Sequence, residues 1–225
     1  MGFRTNALIE LTDRFARINH TGRLGESFSK IAGAVRSLEQ LNLARDLTMP
    51  EAHHAAKVGR AAQQLQQRLP AIRETAYTEW TREQGRIAGL IVERCNLKPN
   101  RFETEIRAVL LAMPTLADRL AWLQETAKDD SNGPILAAVA EAPPALTGVT
   151  REALKAIEDG FIARLCPDLV AEREGMDTAL ATIDAAHRTA EKMAREYQNP
   201  AELARIAQAE EEAKNAQARM AEALA

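Results

Sequence analysis

Apolar side chains recur every three or four residues along most of this chain, and this spacing constrains the fold more than any other feature. The most regular stretch runs from Met176 to Tyr197, where the seam residues are separated by 4, 3, 4, 3, 4 and 3 positions. This spacing places side chains on one face of an α-helix. Runs of alternating β-branched residues, which are typical of strands, do not occur in the sequence.

The composition agrees with this pattern. Hydrophobic residues make up 46% of the chain, yet aromatic residues make up only 4%, and alanine supplies much of the difference. Such a composition favours helices that pack closely through small side chains over a β-sandwich. We therefore predict an all-α fold, a multi-helix bundle.

A nearly uncharged segment lies in the middle of the chain. Between residues 131 and 150 the only charged side chain is Glu141, and a helix of that length would be long enough to cross a bilayer. Pro134, Pro143 and Pro144 exclude a continuous helix, because proline lacks the N–H that the helix needs. We therefore expect no membrane span here.

The same segment predicts a buried turn followed by a connector. Ile135–Ala140 is expected to form one or two short helical turns buried in protein. Residues 142–150 then form an ordered connector, in which Gly148 suits a positive φ and Thr150 can cap the next helix.

Other periodic stretches predict the remaining helices. A capping box at Thr48–Glu51 should start a long helix that extends to Leu97, and Pro70 should kink or split that helix near Leu69. Asn199 and Pro200 should break and restart the last helical segment. The other predicted helices cover residues 4–19, 24–46, 102–112, a segment that starts at Thr115, and 151–165.

These elements suggest a helical body, residues 1–167 with the connector at 129–150, and a long coiled-coil-like arm, residues 168–225. We predict that the arm carries a seam for an oligomer or a partner. Glu210 and Gln217 interrupt the seam in its second half, which is then either a solvated arm or a helix that awaits a partner. An arm that folds back onto the body is the alternative. The seam residues are Met176, Leu180, Ile183, His187, Ala190, Ala194, Tyr197, Leu203, Ile206, Met220 and Leu224.

Charge is distributed unevenly along the chain. Residues 1–99 contain 15 Lys or Arg and 10 Asp or Glu, a net of +5, whereas residues 100–225 contain 14 and 22, a net of −8. This polarity favours head-to-tail contacts between copies, or a basic N-terminal half that faces nucleic acid. Ordinary solvated faces are the simpler interpretation.

The sequence contains no recognisable catalytic, cofactor or metal motif, and we predict no such residues. Cys95 and Cys166 match no zinc or redox spacing, so we expect buried free thiols, with a disulfide as the alternative. His53 and His54 point about 100° apart on a helix and should be surface residues. Asp129 begins a stretch that resembles half a calcium loop, but a local turn is the better interpretation.

Two short motifs resemble uncharacterised helical proteins of tailed-bacteriophage and prophage structural gene clusters. The first is Asp118-Arg119-Leu120-Ala121, and the second is Leu136–Val139 followed by the connector Ala142–Thr150. The entry Thr48–His53 into the long helix is similar as well, whereas Val149 stands where that group more often has leucine. The resemblance implies a structural or assembly role and no catalytic residue.

From these features we expect a non-enzymatic virion or morphogenesis protein that acts as a homo-oligomer through helix–helix contacts, with other virion proteins as further partners. The alternative is a small helical regulator or host-factor-binding module, which contacts nucleic acid through its basic N-terminal half. The first residues lack the long apolar run of a signal peptide. The expected location is therefore the cytoplasm of a bacterial host or the virion.

Overall fold

A computed structural model describes residues 3–19, 21–44, 50–98, 103–198 and 200–223. These residues contain ten α-helices, a single 3-10 turn and no strand, so the all-α prediction is confirmed. Among them, no helix combines the length and the apolar content that crossing a membrane would require. The helices are α1 (Phe3–Ala16), α2 (Leu24–Leu43), α3 (Glu51–Arg94), α4 (Glu103–Ala112), α5 (Leu116–Thr126), α6 (Gly133–Glu141), α7 (Pro144–Thr147), α8 (Arg151–Leu165), α9 (Pro167–Tyr197) and α10 (Pro200–Ala223).

The chain forms two compact units. Unit 1 comprises Met1–Trp80 and Asp177–Ala225, and unit 2 comprises Thr81–Met176. Helices α3 and α9 therefore each contribute one part to unit 1 and the other part to unit 2. The predicted grouping into a body, 1–167, and an arm, 168–225, follows the chain in order and stays a prediction.

The core of unit 1 forms where the apolar stripes of its helices meet. On α2, Ile31 and Val35 are almost wholly buried, and Leu38 continues the same stripe. Phe15 of α1 stacks on Phe28 of α2, with the ring centroids 4.3 Å apart and the planes nearly parallel. The ring stack joins the end of α1 to the first turns of α2.

Helix α3 is continuous through Pro70, so of the two predicted outcomes near Leu69, a kink or a split, the split is wrong. Pro70 lies on the exposed face, whereas Leu65, Leu69 and Ala76 on either side of it are buried. Proline removes one backbone hydrogen bond, but the buried side chains of the adjacent turns hold both halves of the helix in place.

Unit 2 is organised around the short helix α6, which contacts α4 and α8. Leu136 of α6, Leu110 of α4 and Phe161 of α8 are all nearly inaccessible to solvent. Helix α6 begins at Gly133, where a Cβ atom would lie only 1.9 Å from the carbonyl oxygen of Cys95. Only glycine permits this close approach of α6 to the end of α3.

The central connector has the predicted structure with one addition. The φ angle of Gly148 is +64°, and the Thr150 side chain caps α8 by accepting a hydrogen bond from Ala153 N, so both predictions are confirmed. Pro143 follows the end of α6 as expected, but Pro144 starts the single turn of α7, because proline is tolerated at the first position of a helix.

Several predicted helix ends differ from the observed ones. Helix α1 ends at Ala16 and α2 at Leu43, both earlier than predicted. The caps that Thr48 and Asn199 were expected to provide lie outside the described residues.

Candidate functional site

The structure buries part of the predicted seam within the chain itself. Ile183, Ala190 and Ala194 of α9 are inaccessible to solvent in unit 1, and Met176 is buried in unit 2. Leu180, His187 and Tyr197 are half-buried. These residues therefore already pack against this chain, and whether they also contact another protein stays a prediction.

The buried stripe of α9 is broader than the predicted seam. Ala179, Thr182 and Ala186 are fully buried and Met193 nearly so, although the seam omitted all four. The sequence signal was present for Ala179, Ala186 and Met193, since each lies three or four positions from a buried seam residue. Alanine carries little apolar area, so the larger Leu180 and Tyr197 dominated the pattern. The core-facing side of α9 is in fact centred on small residues.

The second half of the seam has a different environment. Ile206 is half-buried, Met220 is 64% exposed, and every residue from 211 to 221 is exposed. The side chain of Leu203 and the whole of Leu224 lie outside the described residues. Helix α10 thus presents its surface to solvent over about three turns, although helices normally depend on packing for most of their stability.

An apolar groove of about 690 Å³ lies between α2 and α3 in unit 1. Lys30 and Arg68 are the charged residues that border it, and both are exposed. Helical side chains spaced by three and four positions form such grooves, into which another helix can insert its own side chains. The principal apolar residues that line the groove are Ala34, Leu38, Leu41, Ala61, Leu65 and Ile72.

A second cleft of unit 1, about 490 Å³, lies between α3 and α9 and is lined by both charged and apolar side chains. Arg73 Nε donates to Asp184 Oδ1 at 2.8 Å, and this hydrogen bond raises the pKa of the Arg73 guanidinium. His187 lines the same cleft, and its Nε2 atom is buried without a hydrogen-bond partner in the described part of the chain. Because Asp184 already neutralises the guanidinium, this cleft offers less attraction for an anion than its arginine alone suggests.

In unit 2, Arg119 joins the two motifs that carry the phage resemblance. Its guanidinium donates to the carbonyl oxygens of Leu110 at 2.9 Å, Met113 at 2.9 Å and Gly148 at 3.2 Å. The first two carbonyls lie at the end of α4, and the third belongs to the connector. Arg119 of the Asp118–Ala121 motif therefore holds the connector motif against the end of α4 through hydrogen bonds, which is a structural role.

The two cysteines are free and buried in unit 2, with their sulfur atoms 3.3 Å apart, so the prediction of buried free thiols is confirmed. Burial, with a smaller contribution from Cys166, raises the pKa of the Cys95 thiol to about 12. Beside them, Arg94 Nη1 donates to both carboxylate oxygens of Asp168. A raised pKa leaves the thiol protonated at neutral pH and therefore a poor nucleophile.

Among the residues that the structure describes, no three His, Cys, Asp or Glu side chains are grouped so that they could hold a metal ion. Asp129 instead forms the predicted local turn, in which its Oδ1 accepts hydrogen bonds from Ser131 N at 2.9 Å and Ser131 Oγ at 2.8 Å. His53 is exposed, and His54 Nε2 lies 3.2 Å from the carbonyl oxygen of Asn42.

Comparison with protein-family models, with curated proteins and with solved structures finds no match to this chain. The surfaces described above are therefore interpreted from their own geometry and chemistry.

Proposed function

We propose that this chain is a non-enzymatic structural or assembly protein that associates with copies of itself through helix–helix contacts. The observation that carries the proposal is α10, a helix of 24 residues whose side chains are exposed throughout residues 211–221. Helices in proteins draw most of their stability from packing of an apolar face, so burial against a partner would stabilise α10. The setting in a tailed phage or prophage rests on the resemblance of the two short motifs alone.

Size-exclusion chromatography with light scattering tests this proposal over a range of protein concentrations. We expect a mass above that of the 24.7 kDa chain at high concentration, and a shift toward the single chain on dilution. A variant cut after Gln198, which lacks α10, should remain the size of one chain. A full-length chain that stays monomeric at every concentration would contradict the proposal.

The nucleic-acid alternative has weaker support from the arrangement of charge. Several arginines of α3 are engaged by carboxylates, as in the pairs Arg73–Asp184 and Arg86–Glu83. Such pairs reduce the net positive charge that phosphates would meet. A gel shift with duplex DNA or RNA at low and high salt tests this alternative, which requires binding that weakens steeply as salt increases.

A further inference from the structure

We propose that Cys95 and Cys166 are a redox-sensitive pair, which forms a disulfide when the chain meets a small-molecule disulfide such as oxidised glutathione. Cys95 directly follows α3 and Cys166 directly precedes α9, so the bond joins these two helix ends within unit 2. The thiols are free in this structure. The disulfide is therefore a second state of the same chain, and it does not depend on self-association.

The two sulfur atoms are in direct contact. They lie 3.3 Å apart, and Cys95 is 1% exposed and Cys166 0% exposed. A disulfide bond requires the sulfur atoms to lie about 2.05 Å apart, so they have to approach each other by about 1.3 Å. Small rotations about the two Cα–Cβ bonds can cover that distance.

The backbone of each cysteine is held by helical hydrogen bonds. Cys95 N donates to the carbonyl oxygen of Ile91 at 2.9 Å, and Cys166 N donates to that of Ile162 at 2.7 Å. The carbonyl oxygen of Cys166 accepts from Val170 N at 3.0 Å. Side chains on a fixed backbone stay beside each other, which gives each thiol a high effective concentration at the other.

Two further contacts hold the same helix ends together. Arg94, one residue before Cys95, donates through Nη1 to both carboxylate oxygens of Asp168, two residues after Cys166. At the start of α6, Gly133 approaches the carbonyl oxygen of Cys95 so closely that a Cβ atom would lie 1.9 Å from it. The thiol contact is therefore part of a tightly packed junction between helix ends.

The reaction is a thiol–disulfide exchange in two steps. In the first, one protein thiolate attacks a sulfur atom of oxidised glutathione, which forms a mixed disulfide and releases one glutathione thiolate. In the second, the other protein thiolate attacks the protein sulfur of that mixed disulfide and releases the second glutathione. The pair thus gives two electrons to the glutathione disulfide, and the two protons of the protein thiols end on the two released thiols.

Burial determines how the oxidant reaches the pair. Neither thiol is accessible in the folded unit, and burial raises the pKa of the Cys95 thiol to about 12, so thiolate is scarce. Exchange therefore proceeds when the junction opens locally, or before the chain has folded. Reduced glutathione needs the same opening to break the bond, so the two states interconvert slowly once the chain is folded.

Equilibration with glutathione tests the pair in the full-length chain. Reduced and oxidised protein are each incubated with different proportions of reduced and oxidised glutathione, in native buffer and in denaturing urea. Acid stops the exchange, and alkylation marks the remaining thiols. Mass spectrometry then separates the dithiol, the disulfide and the mixed disulfide with glutathione. Agreement between the two starting states shows that equilibrium has been reached.

A junction that suits the bond makes folding and disulfide formation favour each other. We expect the equilibrium constant for disulfide formation to be at least about tenfold larger in native buffer than in urea. The oxidised chain should correspondingly need more urea to unfold than the reduced chain. An equal or smaller constant in native buffer would mean that the folded geometry resists the bond, and it would overturn the proposal.

Hydrogen exchange measures what the bond does to the helix ends. In the oxidised chain, the amides of Cys95 and Val170 should exchange several-fold more slowly than in the reduced chain, because the junction opens less often. Amides beside Lys214, in the exposed part of α10, are the internal control and should exchange equally in both states. Equal exchange at the junction would overturn the assignment of the pair as a link between α3 and α9.

Single substitutions identify the product. Cys95→Ala and Cys166→Ala each keep one thiol, so oxidising buffer should give a mixed disulfide or no reaction, and no gain in resistance to urea. Circular dichroism checks that each variant retains its helices, and the comparison of native buffer with urea needs only the wild type if one does not. A wild type that gives chiefly mixed disulfides, or disulfide-linked dimers on a non-reducing gel, would also overturn the proposal.

Discussion

At the scale of single residues, unit 2 depends on a close contact between Gly148 and Arg119. A Cβ atom on residue 148 would lie 1.9 Å from Arg119 Nη1, and the φ angle of +64° disfavours any side chain there. Gly148→Ala should therefore lower the free energy of unfolding by about 1–3 kcal/mol, from backbone strain and displacement of the guanidinium. Urea denaturation measures this loss.

Gly160→Ala is the matched control for this substitution. Gly160 lies within α8, has helical backbone geometry and has open space where a Cβ would be placed. Alanine there should raise the free energy of unfolding by about 0.5–1 kcal/mol, because glycine is the more flexible residue in the unfolded chain. Equal effects of the two substitutions would contradict the role assigned to Gly148.

The buried thiol of Cys95 predicts a dependence of stability on alkaline pH. Its pKa is about 12 in the folded chain against an ordinary value of 9.0, so the folded state holds its proton over a range in which the unfolded state releases it. Its contribution to stability is complete below pH 9 and is lost as pH rises toward 12, by at most about 1.4 kcal/mol per pH unit. Thermal unfolding of the wild type and of Cys95→Ala between pH 8 and 10 measures the difference, and the variant should lose less stability than the wild type.

At the scale of helices, Pro70 is a residue whose low helix propensity conflicts with the helix that contains it. It lies on the exposed face of a continuous α3, where a proline is unfavourable by about 3 kcal/mol relative to alanine. Pro70→Ala should therefore raise the free energy of unfolding by about 1–3 kcal/mol, since it restores one backbone hydrogen bond. Denaturation by guanidinium chloride measures this gain. A loss of stability would mean that the local geometry at Pro70 is required by the packing of α3.

The Arg94–Asp168 pair at the start of α9 predicts that the stability of the fold depends on pH in the acidic range. The hydrogen bond from Arg94 lowers the pKa of the Asp168 carboxyl below its ordinary value of 3.8. The stabilising contribution of this pair is complete above pH 3.8 and is lost as pH falls through the lower pKa of the folded state. Asp168→Asn should therefore have a lower Tm than the wild type at pH 7, and the difference should diminish once Asp168 becomes protonated in strong acid.

Local signals explain which helical features were predictable. Proline, the glycine at 148 and the capping threonine at 150 act on their immediate neighbours, so the ends of α6 and α8 could be inferred from the sequence. The burial of Ala179 and Ala186 depends on which residues pack against α9, and the helical spacing of these alanines is only a weak sign of it because alanine carries little apolar area. The pairs Arg73–Asp184 and Trp80–Asp177 join positions about a hundred residues apart, so sequence spacing did not indicate them.

At the scale of the whole molecule, the exposure of α10 predicts a proteolytic pattern that depends on concentration. Lys214 and Arg219 lie in the exposed part of α10. In dilute protein, trypsin should cut there first, because a helix without packing opens readily. At concentrations where the chain associates, those cuts should slow if α10 is buried by a partner. Mass spectrometry of timed digests measures both rates, and an unchanged rate in the associated state would contradict burial of α10.

The discontinuous make-up of unit 1 explains why its boundaries are not visible in the sequence. Its two segments are separated by the whole of unit 2. Composition and linkers reveal domains that are continuous in the chain, whereas this unit is formed by residues that meet only after folding. The groove between α2 and α3 and the exposed residues of α10 belong to this unit, and their exposure could not be inferred from sequence alone.

The neighbouring sulfur atoms also have a topological consequence. Cys95 and Cys166 are separated by 71 positions that contain α4 to α8, so a covalent bond between them would turn most of unit 2 into a closed ring. In the chain-entropy model, a ring of that size would lower the entropy of the denatured chain and so raise the free energy of unfolding by about 4 kcal/mol. A bond between the two sulfur atoms would then limit how far this part of the polypeptide can extend when it unfolds.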